Sequence, residues 1–267
     1  MLISGIGHPY DPKTRVGTVG RNYAYQTYSS VQLFFDDKNF NPFIGSGALG
    51  QTVDDLNGDN FDHRGLDFVG GGAITCQPTN GRPLAQLPVP PGTPRWGTRW
   101  KKEAKKNYLR SFGFASQGSS HAAYANYLDL DPTYTDRLGR PLLRMTFDFP
   151  DNDIRMSNHV VDRMEPIAKA MNPRQYVVNR RAKPYSVVPD QSTHNTGGAI
   201  MGTDPKTSAV NKYLQSWDVP NVFVIGASAF PQNPGYNPNG TVCALAFLAA
   251  DAIISKYLRS PGPLLRT

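Results

Sequence analysis

The last third of the chain constrains the fold more than any other stretch. A strand-like apolar run over 221–225 leads into a turn of small residues, then a loop rich in Pro, Gly and Asn, then an apolar helix ending near residue 258. Small residues on one helix face allow close packing on a sheet. A strand, a small-residue turn and a helix start also point backbone N–H groups at an electron-rich ligand. This stretch therefore predicts a ligand site built on a sheet.

A histidine flanked by small residues comes before this arrangement. His194 stands two residues before Thr196 and the Gly197-Gly198 pair. Imidazole titrates near neutrality and can accept an alcohol proton while a hydride leaves carbon. Asn239, just before the last helix, could hold the same hydroxyl. A lone histidine is more often structural, so the residues alone leave the catalytic and structural interpretations both open.

The middle of the chain predicts a sheet that carries a helix. Residues 142–149 alternate as a half-buried strand. A capped helix follows to about Met171, because apolar residues recur on one face at helical spacing. That face consists of Met156, Val160, Met164, Ile167 and Met171. We interpret the methionines as core, and a sheet with a helix on one face is the simplest architecture.

The positive charge has one dense region. The formal net charge is +7, and residues 95–110 interleave seven Lys and Arg with Trp96, Trp100 and Tyr108. One interpretation is a solvated helix start whose aromatic side chains pack inward; another is a docking face for an acidic partner subunit. Nucleic acid is disfavoured, because no helix-turn-helix, zinc-finger or RNP pattern is found.

Other site classes find little support in the sequence. The Asp-rich run 54–62 resembles a calcium loop, but glycine falls at the wrong position and Leu66 stands where the closing acid belongs, so we predict an Asx turn and no metal. Cys76 and Cys243 cannot by themselves hold a cluster, and Cys243 is predicted to be a small buried thiol. We interpret the remaining histidines as structural; they are His8, His63, His121 and His159.

Membrane and hydrolase signals are also missing from the pattern. No apolar run reaches the roughly 20 residues that a membrane span needs, and the N-terminus lacks a signal-peptide layout. A serine hydrolase is disfavoured, because no G-x-S-x-G turn occurs around Ser228.

Several segments together resemble the glucose–methanol–choline (GMC) family of FAD oxidoreductases. His194, Gly197-Gly198 and Met201-Gly202 are similar to that family's histidine, small-residue turn and M-G pair. The turn 226–228 resembles its D-[AG]-S turn at the flavin, with glycine replacing the acid. The segment 19–22 resembles its V-G-x-N segment. Gluconate dehydrogenase-type large subunits are the most similar branch.

The resemblance implies a site and a cofactor. His194 would be the catalytic base and Asn239 its partner, with FAD as the cofactor. The turn and the helix start would contact the flavin through backbone groups. The implied cofactor-binding residues are Asn22, Gly226, Ala227, Ser228, Gly240 and Thr241.

The resemblance also implies a fold class, α/β (α+β), in which a partial FAD-binding domain joins a sheet-based substrate domain. We expect a partial FAD domain and flavin-lid segment at 1–75, a substrate-binding domain at 76–190, and an active-site segment at 191–267. Because no G-x-G-x-x-G segment is present, we expect the chain alone not to retain FAD. The alternative interpretation is a catalytically inert fragment or interaction module.

The implied activity is oxidation of a hydroxyl of a sugar or sugar acid, with hydride transfer to FAD. By the same resemblance, the partners would be a cytochrome c subunit and a small subunit, and the location would be periplasmic or at the inner membrane through those partners. We expect no signal or transmembrane segment within the chain.

Overall fold

The computed structural model describes residues 1–40, 50–76, 88–186 and 193–265, so part of the Pro-rich connector predicted at 77–95 lies outside the described residues. The chain forms two compact units that interleave along the sequence. The loop-rich unit comprises Met1–Gln26, Ser119–Pro150 and Lys183–Thr267. The sheet unit comprises Thr27–Gly118 and Asp151–Ala182. The three segments expected from the sequence stay a prediction.

The sheet unit is built on a five-stranded antiparallel sheet with strand order β3-β4-β5-β2-β8. Its longest strand, β2, alternates buried and exposed residues over most of its length, as one covered face requires. The strands are β2 (Thr27–Phe34), β3 (Gln51–Val53), β4 (Gly72–Cys76), β5 (Ser111–Gly118) and β8 (Gln175–Asn179). Helix α1 (Gly97–Asn107) precedes β5 in the chain.

Helix α2 (Asp151–Ala170) packs on this sheet and confirms the predicted helix. Met156, Val160 and Met164 are fully buried against apolar strand residues, so the methionine stripe is core, as predicted. Ile167 is 42% exposed, however, so the predicted apolar face is wrong at this position. The described part of the chain is therefore a mixed fold with a helix packed on a sheet.

The loop-rich unit has little regular structure besides two ribbons and one long helix. Strand β1 (Ala24–Tyr25) pairs with β9 (Asn195–Thr196), and β6 (Tyr127–Thr135) pairs with β7 (Pro141–Thr146). The strand predicted at 142–149 is present as β7, but it is mostly exposed because its only strand neighbour among the described residues is β6. Its predicted half-buried character is wrong.

Two predictions for the C-terminal third are wrong. Residues 221–225 form no strand; they are tied only by single contacts, including a bridge from Gln215 to Phe223. An apolar run of this length needs a neighbouring strand to become part of a sheet, and an irregular segment lies beside it instead. Cys243 is exposed rather than buried, because it lies on the outer side of its helix.

Helix α3 (Asn239–Ala252) continues as a π-helical turn, Ile253–Tyr257. Its less exposed face includes Ala249 and Ala252, while Phe247 is 79% exposed. Together the two segments span 19 residues with a mean hydropathy of 1.4 and 11% burial, which by length and composition alone suffices to cross a membrane. The expectation of no transmembrane segment stays a prediction, because length and composition alone do not distinguish a membrane span from a helix that packs within a fold.

Candidate functional site

The candidate site in the loop-rich unit begins where two distant segments pair. The β1–β9 register places Ala24 opposite Thr196 and Tyr25 opposite Asn195. The residues at the ends of this short ladder, Gln26 and His194, therefore become neighbours although they are 168 positions apart. The pairing fixes the imidazole next to a buried amide.

The side chain of Gln26 determines which imidazole nitrogen carries the proton. His194 Nδ1 lies 2.7 Å from Gln26 Oε1, and Gln26 Nε2 donates to the Tyr236 carbonyl at 3.1 Å. An amide oxygen only accepts, so Nδ1 must donate to it. The neutral ring then carries its lone pair on Nε2, which is the atom that a base needs.

The backbone and surroundings of His194 support the same protonation state. Asn233 Nδ2 donates to the His194 carbonyl at 2.5 Å, which gives the backbone at His194 a further anchor. The imidazole is half-buried, and this burial lowers the pKa of His194 below its usual value. A lowered pKa keeps the ring neutral, and therefore basic, at neutral pH.

The glycine pair after His194 joins the other predicted segments. Gly197 N–H donates to the Ala227 carbonyl at 3.1 Å, and Gly198 N–H donates to the Arg21 carbonyl at 3.0 Å. Gly197 has φ +83°, and a Cβ placed on it would lie 2.0 Å from the Asn22 carbonyl oxygen. Only glycine allows these three segments to approach so closely.

The predicted cofactor residue Asn22 lies in this junction. Its backbone has φ +58°, in the left-handed region, and its side chain is largely buried. Arg21 Nε donates to Asn22 Oδ1 at 3.4 Å, and the guanidinium lies 4.9 Å from the Tyr124 ring centroid. The structure thus brings Asn22 beside the 197–198 turn, as a shared site requires.

The predicted flavin turn is present as a short 3₁₀ helix, Ala227–Ala229, preceded by Gly226 with φ +145°. Gly226, Ala227 and Ser228 are only partly exposed, and Ser228 accepts from Ala199 N–H at 3.0 Å through its carbonyl. The turn is therefore bound to the strand-like segment after His194. One side of the turn is partly exposed, and its carbonyls accept hydrogen bonds from the segment that follows His194.

The remaining predicted residues lie at the start of α3. Asn239, Gly240 and Thr241 are all exposed, and no atom lies within 4 Å of a Cβ built on Gly240. The side chain of Asn239 has no hydrogen-bond partner among the described residues. The structure therefore does not show it bonded to His194, although the preceding loop reaches Gln26 through Tyr236.

Buried polar atoms beside His194 fit a site that takes a further polar group. Thr196 Oγ1, Asn233 Oδ1 and Ser120 Oγ are buried and have no hydrogen-bond partner within the described ranges. Buried polar atoms are normally satisfied, so such orphans at one place indicate a missing partner. Together with the glycine turns that admit close approach, they fit a polar aromatic cofactor and a hydroxylated ligand.

Two residues of this site were missed by sequence reasoning. Gln26 lies four residues after the segment 19–22, which resembles the V-G-x-N segment of the family. Asn233 lies within the Pro/Gly/Asn loop 232–239. The signal for Gln26 was its polar side chain directly after the apolar pair Ala24-Tyr25. Neither partnership follows from sequence spacing, since each joins residues far apart in the chain.

Comparison with known proteins shows which family has a similar sequence. The profile of the GMC oxidoreductase family matches residues 123–246, which include His194 and both glycine turns. Over these residues the chain is similar to the C-terminal domain of GMC oxidoreductases, a family that uses FAD as its cofactor.

Two curated relatives are more specific than the family profile. Over its whole length the chain is 51% identical to the gluconate 2-dehydrogenase flavoprotein of Pantoea cypripedii, of which it covers 44%. Over 49% of the chain it is 32% identical to the fructose dehydrogenase large subunit of Gluconobacter japonicus, covering 23% of that protein. The chain thus spans less than half the length of these curated relatives.

Solved structures show the same fold. A formate oxidase variant from Aspergillus oryzae RIB40 aligns with a TM-score of 0.55 at 15% identity, covering 90% of this chain and 48% of that one. Pyridoxine 4-oxidase aligns with a TM-score of 0.53 at 14% identity, covering 89% of this chain and 44% of that one. These likenesses support the mixed helix-and-sheet fold class predicted from the sequence.

Proposed function

We propose that this chain supplies the base-bearing part of an FAD-dependent dehydrogenase that oxidises a hydroxyl of a sugar or sugar acid. The single observation that carries the proposal is the Gln26–His194 hydrogen bond, which places the proton on Nδ1. A half-buried imidazole with its proton fixed there is neutral and accepts through Nε2. This is the state that deprotonation of an alcohol requires.

His194 and Gln26 have different roles in the proposed reaction. His194 Nε2 accepts the hydroxyl proton as the substrate C–H bond breaks, and Gln26 stabilises the imidazolium that forms by accepting from Nδ1–H. When bound, FAD would supply the acceptor for the hydride equivalent that leaves the carbon. The cofactor would lie against the 226–228 turn and Asn22, where glycine backbones permit close approach.

Asn239, Gly240 and Thr241 complete the proposal at the start of α3. The helix N-terminus presents unpaired N–H groups and a partial positive charge, which favour an electron-rich ring. Asn239 is exposed and can donate to a substrate hydroxyl or accept from it. It would hold the hydroxyl in line with His194.

The test is His194→Ala in an FAD-loaded enzyme that contains this chain together with a G-x-G-x-x-G nucleotide-binding segment, with turnover followed by an artificial dye acceptor. Loss of a general base lowers turnover by about 10²–10⁴-fold, while the visible flavin absorbance per protein stays unchanged. His8→Ala is a matched control, because that histidine is exposed and its imidazole contacts Asp218. A His194→Ala variant that keeps more than about a tenth of the wild-type rate would contradict the base assignment.

The substrate class rests on the relatives' names. The most informative is the gluconate 2-dehydrogenase flavoprotein, identical at 51% of positions over the whole chain. A panel of gluconate, fructose and simple secondary alcohols, with the same dye acceptor, tests the proposal. We expect the highest kcat/KM for the sugar acid, and higher values for simple alcohols would contradict the substrate assignment.

The electron acceptor is proposed by the same similarity. A relative described as a large subunit belongs to an assembly, and we propose a cytochrome c subunit and a small subunit as partners in a periplasmic, membrane-associated complex. Purification of the tagged protein from its native host tests this. We expect a co-purifying haem protein that is reduced on addition of substrate, and a colourless preparation without haem would contradict the partner assignment.

A further inference from the structure

The positive charge of the chain is concentrated on one element of the sheet unit. Residues 95–110, which contain α1, carry seven cations and one acid, Glu103; this gives +6 of the chain's net +7. We call these cations with Trp96 the basic surface. Its members are Arg95, Trp96, Arg99, Lys101, Lys102, Lys105, Lys106 and Arg110.

These cations are presented to solvent rather than neutralised. Arg99, Lys101, Lys102 and Lys105 are exposed and make no ion pair with any residue in the described ranges. Lys106 contacts Asp36 at 3.3 Å, but that carboxylate is already bound by Arg174 at 3.0 Å. The helix therefore keeps a strong unbalanced field on one side.

A shallow cavity lies within this surface. It has a volume of about 540 Å³ and is lined by one asparagine, one leucine and four cations. The lining residues are Asn39, Lys102, Lys105, Lys106, Leu109 and Arg110. Since none of the described residues that line it is a carboxylate, the cavity suits a phosphate group with its negative charge.

An exposed tryptophan stands at the start of the same helix. Trp96 is 84% exposed, which contradicts the expectation that the aromatic residues of this stretch all pack inward. Leu109 at the other end is 39% exposed. An indole beside lysines is the arrangement found at membrane–water interfaces, where the ring enters the headgroup region and the cations stay with the phosphates.

We propose that the basic surface binds the anionic surface of a lipid membrane. An acidic protein partner fits less well, because protein interfaces are depleted in lysine, and four of the seven cations are lysines. A membrane tolerates mobile lysines, because each is attracted to the surface potential without a fixed partner. This inference is independent of the proposed function, since it uses only residues of the sheet unit.

The test is flotation of the chain with vesicles of phosphatidylcholine alone or with about 30% phosphatidylglycerol. One variant combines Arg99→Gln, Lys101→Gln, Lys102→Gln and Lys105→Gln, which keeps helix-forming side chains. A control variant removes the same charge elsewhere, at exposed cations of the loop-rich unit. It combines Lys13→Gln, Arg137→Gln, Lys206→Gln and Arg259→Gln.

We expect binding only to the anionic vesicles, with at least a tenfold loss between about 0.1 M and 0.5 M salt, because screening weakens the attraction. The α1 variant should bind at least 50-fold more weakly, since each cation near an anionic membrane contributes roughly a fivefold change. The control variant should keep most of the binding. Trp96→Ala should weaken binding further at low salt.

Three other results would overturn the proposal. If the chain binds neutral and anionic vesicles equally well, apolar contact rather than charge attaches it to the membrane. The apolar helix α3 could make such a contact. Equal losses in both charge variants would show that net charge alone acts. Salt-sensitive binding to polyglutamate without binding to anionic vesicles would show that the surface receives an acidic protein.

Discussion

The hydrogen bond from His194 to Gln26 gives the sharpest prediction of the account. Gln26 is 2% exposed and makes two bonds, one to His194 Nδ1 and one to the Tyr236 carbonyl. Gln26→Leu removes both and leaves their partners unsatisfied, which costs about 2–3 kcal/mol of stability. Without a fixed Nδ1–H the ring samples the wrong tautomer and orientation, and a loss of about 1.4–2.8 kcal/mol in the transition state lowers kcat/KM by 10–100-fold.

Gln26→Glu separates positioning from simple packing. A carboxylate against Nδ1 favours the charged imidazole, so the pKa of His194 rises and the acid limb of the pH–rate profile moves to higher pH. The measurement is kcat/KM against pH in the FAD-loaded protein with a dye acceptor, together with thermal unfolding of each variant.

A matched control isolates the effect. Gln215 is also buried and donates to the carbonyls of Pro220 and Gly262, in the same unit but away from His194. Gln215→Leu should lose at least as much stability, because its side chain also accepts from Asn211 and Leu264, and it should leave the pH profile unchanged. If Gln26→Leu keeps kcat/KM within threefold of wild type, and Gln26→Glu leaves the acid limb in place, Gln26 does not position the base.

Three further outcomes follow from the structure. Gly197→Ala should lose at least about 2 kcal/mol of stability in chemical denaturation, because its Cβ would meet a carbonyl 2.0 Å away, whereas Gly139→Ala, with open space around a similar positive φ, should lose about 1 kcal/mol. Met164→Ala should cost about 2–5 kcal/mol and Ile167→Ala much less, since the first is fully buried and the second is 42% exposed. Because burial lowers the pKa of His194, wild-type kcat/KM should stay constant down through neutral pH and fall only as pH drops through a pKa below 6.5; an acid limb above that value would contradict a neutral base.

Parts of the fold with continuous local patterns could be predicted from the sequence. Helix α2 repeats apolar residues at helical spacing over 20 residues, and the sequence located it within a residue or two. Helix α3 was also expected at its observed position. Periodicity suffices here because both elements are long and their hydrogen bonds are local.

The failures concern residues whose environment depends on distant partners. The run 221–225 has strand composition, but no strand lies beside it in the part of the chain that the structure describes, and composition cannot reveal a missing neighbour. Cys243 was placed by helical pattern, yet its helix exposes an apolar side. Which side of a helix is covered depends on what packs against it.

The candidate site was predictable in outline and not in its contacts. The small-residue turns at 197–198 and 226–228 were predicted to belong to the site, and the structure brings them together. The partnership between Gln26 and His194 depends on the register of a two-residue ladder. A shift of one residue would turn each side chain to the opposite face, and no sequence pattern fixes a register this short.

The most direct test of His194 as the base is anaerobic bleaching of the bound flavin by a sugar acid, without any electron acceptor. Gluconate should bleach the wild-type flavin rapidly, and at equal flavin content it should bleach the His194→Ala flavin at least a hundredfold more slowly. A flavin that no sugar or sugar acid bleaches would contradict the proposed function. Equal bleaching rates in the two proteins would contradict the role of His194.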